Sequence, residues 1–203
     1  MWPIAILYIL SLVYSTIRYV AFAPENAANL PVFVVNKAVS MSAALCFSLA
    51  FLAQRRAARG STPAVPARAW FRAGIFGVAM HVPMSLSILE PSYFPDFFQK
   101  ESGRMSFSGE AILLFGALTA GGIYLLTRTD WTRRVRWGLS LATMAVLFTH
   151  TLVMGISRGL NMTAKHGYLP PMWLLSLVGI ALGLAFVLAD RPRDENAASA
   201  DAV

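Results

Sequence analysis

Six apolar stretches, each long enough to cross a lipid bilayer, constrain the fold of this 203-residue chain more than any other feature. A hydrocarbon core of about 30 Å requires about 20 helical residues. The backbone polar groups inside it must be paired, which favours helices. The stretches lie near residues 3–22, 32–54, 70–90, 108–127, 136–157 and 171–189. The sequence therefore predicts an all-α polytopic membrane protein.

The residues outside these stretches leave no room for a second folded domain. Hydrophobic residues make up 57% of the chain and charged residues only 13%, which argues against a soluble domain. We expect a six-transmembrane-helix bundle over residues 1–190. The segment 191–203, rich in Ala, Asp and Glu, is expected to be a disordered cytoplasmic tail.

The charge distribution indicates membrane topology rather than nucleic-acid binding, although the formal net charge is +7. The loops 55–69 and 128–136 carry four arginines each, whereas the alternate loops hold few basic residues. The positive-inside rule then places both loops and both termini in the cytoplasm. We expect a multi-pass protein of a bacterial-type inner (cytoplasmic) membrane, in contact with lipid and not with nucleic acid.

The first apolar stretch is predicted to be a membrane helix rather than a cleaved signal. The segment Ala21-Phe22-Ala23 is similar to a signal-peptidase site. However, the first 15 residues contain no basic residue, and Arg18 follows the apolar run instead of preceding it. These two observations favour a retained helix.

Two of the three histidines lie inside apolar stretches at similar depth. At about 1.5 Å per residue, His81 lies about 16 Å beyond Trp70, and His150 lies about 20 Å beyond Trp137. Both tryptophans are predicted to mark the cytoplasmic interface. Since an ionisable group inside a membrane is a functional-site hypothesis by default, His81 and His150 are predicted to act together.

Two histidines at one depth are best explained as the axial ligands of a single heme b. A zinc ion would need four ligands, and no third candidate lies at that depth. The alternative is a purely structural role, in which each histidine forms a hydrogen bond with a backbone or hydroxyl group of a neighbouring helix. Cys46 is the only cysteine, so covalent attachment through a CxxCH motif is excluded on this chain.

Glycines accompany the first histidine. Gly74 and Gly77 precede His81 by seven and four residues, so all three lie on one helix face. The glycines could serve close helix packing, as Gly116 and Ala120 are expected to do on the fourth helix. Beside a histidine, a flat groove that accommodates a porphyrin is the better interpretation, and we include Gly74 and Gly77 in the candidate cofactor site.

Cationic and amide side chains near the outer boundary are candidates for binding heme propionates. The best pair is Asn36 with Lys37, because Lys37 lies inside the start of a span, and Arg158 is a further candidate. Alternatively, these cationic side chains extend toward the lipid headgroups and bind no propionate. His166 is predicted to be a solvated loop residue. The aromatic loop 91–107 is expected to lie on the membrane surface, or to cover the site from outside.

Several of these segments resemble the ferric reductase-like transmembrane domain family. The sequence RAGIFGVAMHVPMSL at 72–86 is similar to the third helix of that family, and 134–150, ending in His150, to its fifth helix. Ser108-Gly109-Glu110 followed by Gly116 is similar to the connecting fourth helix. As a membrane domain without a flavin or nicotinamide domain, the chain resembles stand-alone bacterial heme subunits, such as that of the methionine sulfoxide reductase system. The resemblance implies a six-helix cytochrome b with heme between helices three and five.

The chain departs from that family in its number of histidines. Many members carry two histidines on each ligand helix and hold two stacked hemes. The corresponding positions here are Phe94 or Pro95, Thr163 or Ala164, Ala67 or Arg68, and Arg136 or Trp137. None of these can replace an axial histidine, so one heme is expected and a second is not.

We therefore expect an electron-transfer subunit of an oxidoreductase system rather than a complete enzyme. The chain has no GxGxxG segment for a flavin or nicotinamide domain. The electron donor must then be a separate flavoprotein, another heme protein or a membrane quinol. One alternative is a non-catalytic bundle that acts as an assembly subunit of a larger membrane complex. A small transporter with a histidine proton relay is disfavoured, because no repeat and no intramembrane carboxylate partner is present.

Overall fold

Helices and their connecting loops make up the whole described structure. The computed structural model describes residues 2–22, 24–156, 159–160, 162–163 and 166–192, and it contains no β-strand within those ranges. The long helices are α1 (Trp2–Thr16), α2 (Val35–Ala58), α3 (Ala67–Ser87), α4 (Phe107–Leu126), α5 (Arg133–Ile156) and α6 (Met172–Ala189). A π-helical turn, Ile17–Ala21, extends α1, and another, Leu30–Val34, leads into α2.

Five of these helices are long and apolar enough to cross a membrane, among the residues that the structure describes. They correspond to α1, α2, α4, α5 and α6 with their π-helical extensions. The prediction of an all-helical protein with several membrane-spanning helices is thus confirmed by helix length and composition, whereas the sixth span and the orientation stay predictions. Helix α3 has the required length of 21 residues but includes polar and helix-bending residues such as Arg72, His81 and Pro83, which lower its hydropathy. The predicted disorder of the tail concerns mainly 193–203, which lie outside the described residues.

The helix ends follow from ordinary capping chemistry. Pro66 and Pro171 precede α3 and α6 in an extended conformation, which suits a helix start because proline has no N–H to leave unpaired. Ser106 precedes α4, and its hydroxyl accepts a hydrogen bond from the Gly109 N–H at 3.3 Å. The first turns of these helices are therefore specified locally.

Helices α2 and α5 organise the bundle. Helix α2 packs along α1, α3 and α6, while α5 packs along α4 and α6. The order around the bundle is α3, α2, α6, α5, α4. An apolar cluster joins helices α2 to α6. Buried at its centre are Phe47 of α2, Ile123 of α4, Met144 of α5 and Ile180 of α6. Helix α3 reaches this cluster through side chains rather than through close backbone packing with α5.

The aromatic loop 91–107 packs across the end of the bundle where α2 and α4 begin and α5 ends. Phe94 and Phe97 are buried and stack on each other with ring centroids 5.1 Å apart. Their cluster includes Ile112 of α4 together with Val153 and Met154 at the end of α5. The loop therefore packs on α4 and α5, and the expectation that it covers the histidines from outside stays a prediction.

Candidate functional site

His81 lies on α3 within a small polar network that includes α2. Its Nδ1 atom is 2.7 Å from Asn36 Oδ1, and the Asn36 side-chain NH₂ donates to Ser85 Oγ at 2.9 Å. Ser85 is one turn beyond His81, and its hydroxyl lies 3.3 Å from Nδ1 and 3.5 Å from Nε2. Asn36 is buried, with a relative exposure of 4%. The network therefore joins the start of α2 to the end of α3 through three polar side chains.

The direction of these bonds determines the tautomer of His81. The amide oxygen of Asn36 carries no hydrogen, so the 2.7 Å contact requires the hydrogen to be on Nδ1 of the imidazole. In a neutral ring, Nε2 then carries the lone pair. This is the protonation pattern that a metal-binding histidine adopts when its other nitrogen donates to an oxygen.

His150 reaches the same state through a backbone group. Its Nδ1 atom lies 3.0 Å from the carbonyl oxygen of Ile112 on α4, and this oxygen can only accept. Gly116 makes the approach possible: a Cβ atom there would lie 3.3 Å from Cε1 and 3.6 Å from Nδ1 of the ring. The Nε2 atom of His150 therefore also carries the lone pair of a neutral ring.

The two imidazoles belong to one region of the bundle. Val78 of α3 and Leu147 of α5 pack against the same central cluster, and each histidine follows three residues later. Since one helix separates α3 from α5 in the chain, the two helices run in the same direction. The two histidines thus follow segments of α3 and α5 that contribute to one apolar cluster, and their matched depth stays a prediction.

The glycine groove predicted beside His81 is filled. A Cβ on Gly74 would lie 2.8 Å from the Phe47 ring, and one on Gly77 would lie 2.7 Å from Ala43 Cβ and 2.5 Å from the Tyr8 hydroxyl. The expectation that these glycines present an open porphyrin face is corrected: they allow α1 and α2 to approach α3 closely. The glycine that lies beside a histidine ring is Gly116.

The residues proposed for propionate binding have different surroundings. Asn36 uses both polar atoms of its amide on His81 and Ser85. The Lys37 ammonium lies 4.4 Å from the centroid of the Phe33 ring and 5.4 Å from that of Tyr19, within cation–π range. Arg158 lies outside the described residues. The structure therefore brings Asn36 into contact with His81, which the sequence did not indicate.

His166 and Arg18 are more embedded than the sequence suggested. The His166 ring packs edge-on against Tyr19 at 5.7 Å, and its Nδ1 atom lies 3.4 Å from the Arg18 carbonyl. Arg18 is buried, with a relative exposure of 1%, and its guanidinium donates to the Leu169 carbonyl. These contacts tie the outer end of α1 to the loop before α6, so His166 contributes to packing there.

His81 and His150 each present an Nε2 atom of the kind that heme iron binds. No cluster of three or more His, Cys, Asp or Glu side chains forms within the described part of the chain, so a site built from several such ligands is not assembled there. What the bundle offers instead is two imidazoles, each oriented by a hydrogen bond at Nδ1. Heme iron is held by axial ligands of this kind, and a porphyrin supplies the remaining nitrogens.

No protein-family model and no curated protein matches the chain. Its function must therefore be inferred from its own residues, above all from His81 and His150.

Proposed function

We propose that this protein is a membrane b-type cytochrome subunit of the ferric reductase-like type. One heme between α3 and α5, with His81 and His150 as axial ligands, carries the electrons. The observation that carries the proposal is that both Nδ1 atoms bond to oxygens without hydrogens, so both Nε2 atoms are available to a metal. The test is whether the purified protein contains about one heme b per chain, as two axial imidazoles per iron require.

The residues around the pair have separate roles in this proposal. Asn36 and the Ile112 carbonyl orient the two imidazoles. Phe94 and Phe97, the buried side chains of the aromatic loop, pack beside Ile112, whose carbonyl bonds to His150, and shield that side of the pair from water. A heme bound there supplies a one-electron carrier, whose potential depends on its axial ligands and its burial.

A single heme is also supported by the packing of the inner half of the bundle. Phe47 and Phe71 pack edge-to-face there at 5.4 Å. Trp137, at one of the positions of the family's second ligands, donates its indole N–H to the Val187 carbonyl at 2.8 Å. Apolar side chains occupy this region, so the electron must arrive from a separate donor: a flavoprotein, another heme protein or a quinol.

Substituting Gly116 by valine is expected to disturb His150 without touching its backbone partner. A branched side chain would enter the space 3.3 Å from Cε1 and push the ring away from the Ile112 carbonyl. Losing the hydrogen-bond partner of a metal-binding histidine commonly lowers metal affinity about 10–100-fold, and we expect heme binding to weaken in that range. The measurement is heme content per chain at limiting heme supply.

The matched control for this variant is Gly121→Val on the same helix. Gly121 is exposed, and a Cβ there would meet nothing within 4 Å. It should keep its heme. Equal heme loss in both variants would show that valine in α4 acts through helix propensity and not through His150.

We also propose six spans with both termini in the cytoplasm. Helix α3 has 21 residues, or about 31 Å of helix, enough to cross. An ion pair of 3.0 Å joins Arg55 at the end of α2 to Asp190 at the end of α6. If α3 crosses, α2 and α6 end on the same side, as this pair requires; without that crossing they would end on opposite sides.

Cysteine labelling tests this topology. In a Cys46→Ala background, Ser61→Cys lies in the exposed inner loop and Ser102→Cys in the exposed outer loop. A membrane-impermeant maleimide should label the second variant in intact cells and the first only after permeabilisation. Labelling of both sites from the same side would contradict a crossing at α3.

A non-catalytic bundle remains the second candidate, and one observation favours it. The glycine face of α3 is filled by Phe47, Ala43 and Tyr8, as close helix packing alone would require. In that case the protein would be an assembly subunit of a larger membrane complex. It would be colourless after expression with ample heme, and substitutions at His81 would change only its stability.

A further inference from the structure

Asn36 is the only side chain other than Ser85 that bonds to either imidazole of the candidate pair among the described contacts. We infer that Asn36 is a positioning residue: it holds His81 in the tautomer with hydrogen on Nδ1 and thereby sets the electron affinity of the iron bound at Nε2. This inference rests on the proposed function. It assigns Asn36 a role different from propionate binding.

The Asn36 amide faces two partners at once. Its NH₂ group donates to Ser85 Oγ at 2.9 Å, and its oxygen lies 2.7 Å from Nδ1 of His81. In this orientation the amide oxygen can only accept, so Nδ1 is the donor. Because Asn36 is buried, water does not compete for this bond.

The two histidines differ in whether a substitution can alter the acceptor of their Nδ1–H bond. His150 bonds to a backbone carbonyl, which no side-chain substitution removes. His81 bonds to a side-chain amide, whose acceptor strength depends on the residue at position 36. A stronger acceptor at Nδ1 makes the imidazole a better electron donor to the metal, which favours the oxidised iron.

The first test compares three variants, one of which is expected to lower the reduction potential of the heme and two of which are expected to raise it. Asn36→Asp replaces the amide oxygen with a charged acceptor. We expect the equilibrium constant for heme reduction to fall at least tenfold, about 59 mV for one electron. Asn36→Leu removes the acceptor, and the double variant Asn36→Leu/Ser85→Ala also removes the nearby hydroxyl. Both should shift the potential upward. A merely structural role would move all three variants in the same direction, or none.

The second test needs no bound heme. In heme-free protein with ¹⁵N-labelled histidine, the nitrogen shifts should identify His81 as the tautomer with hydrogen on Nδ1. Asn36→Leu/Ser85→Ala should convert it to a mixture of tautomers. The control is Ser40→Ala, which lies one turn along α2 and loses only a bond to the Lys37 carbonyl. It should leave both the tautomer and the potential unchanged.

The two tests separate failure of the inference from failure of the function. Heme that is bound with the same potential in wild type, Asn36→Asp and Asn36→Leu would overturn the role of Asn36 and leave the cytochrome intact. A wild-type protein without heme would overturn the cytochrome and the redox part of the inference together. An Nε2–H tautomer of His81 in the heme-free wild type would overturn the positioning role on its own.

Discussion

Replacing either His81 or His150 with alanine is expected to give folded protein with almost no bound heme. Each substitution removes one of two axial nitrogens, so the loss should exceed the about 10–100-fold effect of disturbing a second-shell partner. Both side chains are only partly buried, and each bonds through Nδ1, His81 to Asn36 and His150 to the Ile112 carbonyl. Truncation should therefore leave the helix packing in place. Heme per chain, measured as pyridine hemochrome on monodisperse protein, gives the answer.

His166→Ala is the control for this pair. It removes an imidazole from the same outer half of the protein, where the ring packs on Tyr19 rather than on the candidate site. Its heme content should match that of wild type. Full heme retention in His81→Ala or in His150→Ala would contradict axial ligation by that residue.

Gly77→Leu is expected to destabilise the bundle strongly. Even a Cβ at this position would lie 2.7 Å from Ala43 Cβ and 2.5 Å from the Tyr8 hydroxyl. Tyr8 is held in place because its hydroxyl donates to the Ala73 carbonyl at 2.8 Å. Overpacking of this kind costs about 1–3 kcal/mol or more, and we expect the upper end of that range. Thermal denaturation in detergent, followed by loss of monodisperse protein, measures the effect.

Gly121→Leu provides the comparison, since its surroundings on α4 are open and the side chain would face lipid. It should unfold at the wild-type temperature. If Gly77→Leu were equally stable but lost its heme, Gly77 would line the porphyrin, as the sequence suggested, and not the α1–α2–α3 packing seen in the structure.

The helices could be predicted from the sequence because they depend on a local signal. Apolar length placed each long helix within a few residues of its observed bounds, whereas the pairing of His81 with His150 stays a prediction. Helix α3 has a lower hydropathy than the other long helices because polar residues, including those of the candidate site, replace apolar ones there.

The partners of the histidines could not be predicted, because they depend on which helices become neighbours. A glycine shows only that something approaches closely: Gly77 accepts Tyr8 and Ala43, whereas Gly116, expected to serve helix packing, lies beside His150. The Ile112 carbonyl leaves no trace in the sequence, since any residue would provide it. The sequence pairs Asn36 with Lys37 as candidates for propionate binding, but it does not show that Asn36 bonds to His81.

The measurement that tests the central claim most directly is near-infrared magnetic circular dichroism of the oxidised wild-type protein, combined with a heme count. The proposal predicts about one low-spin heme b per chain with the charge-transfer signature of two imidazole ligands. A high-spin heme or a signature of a different ligand pair would contradict ligation by His81 and His150. Absence of heme from protein expressed with ample heme would contradict the cytochrome itself and favour the assembly subunit.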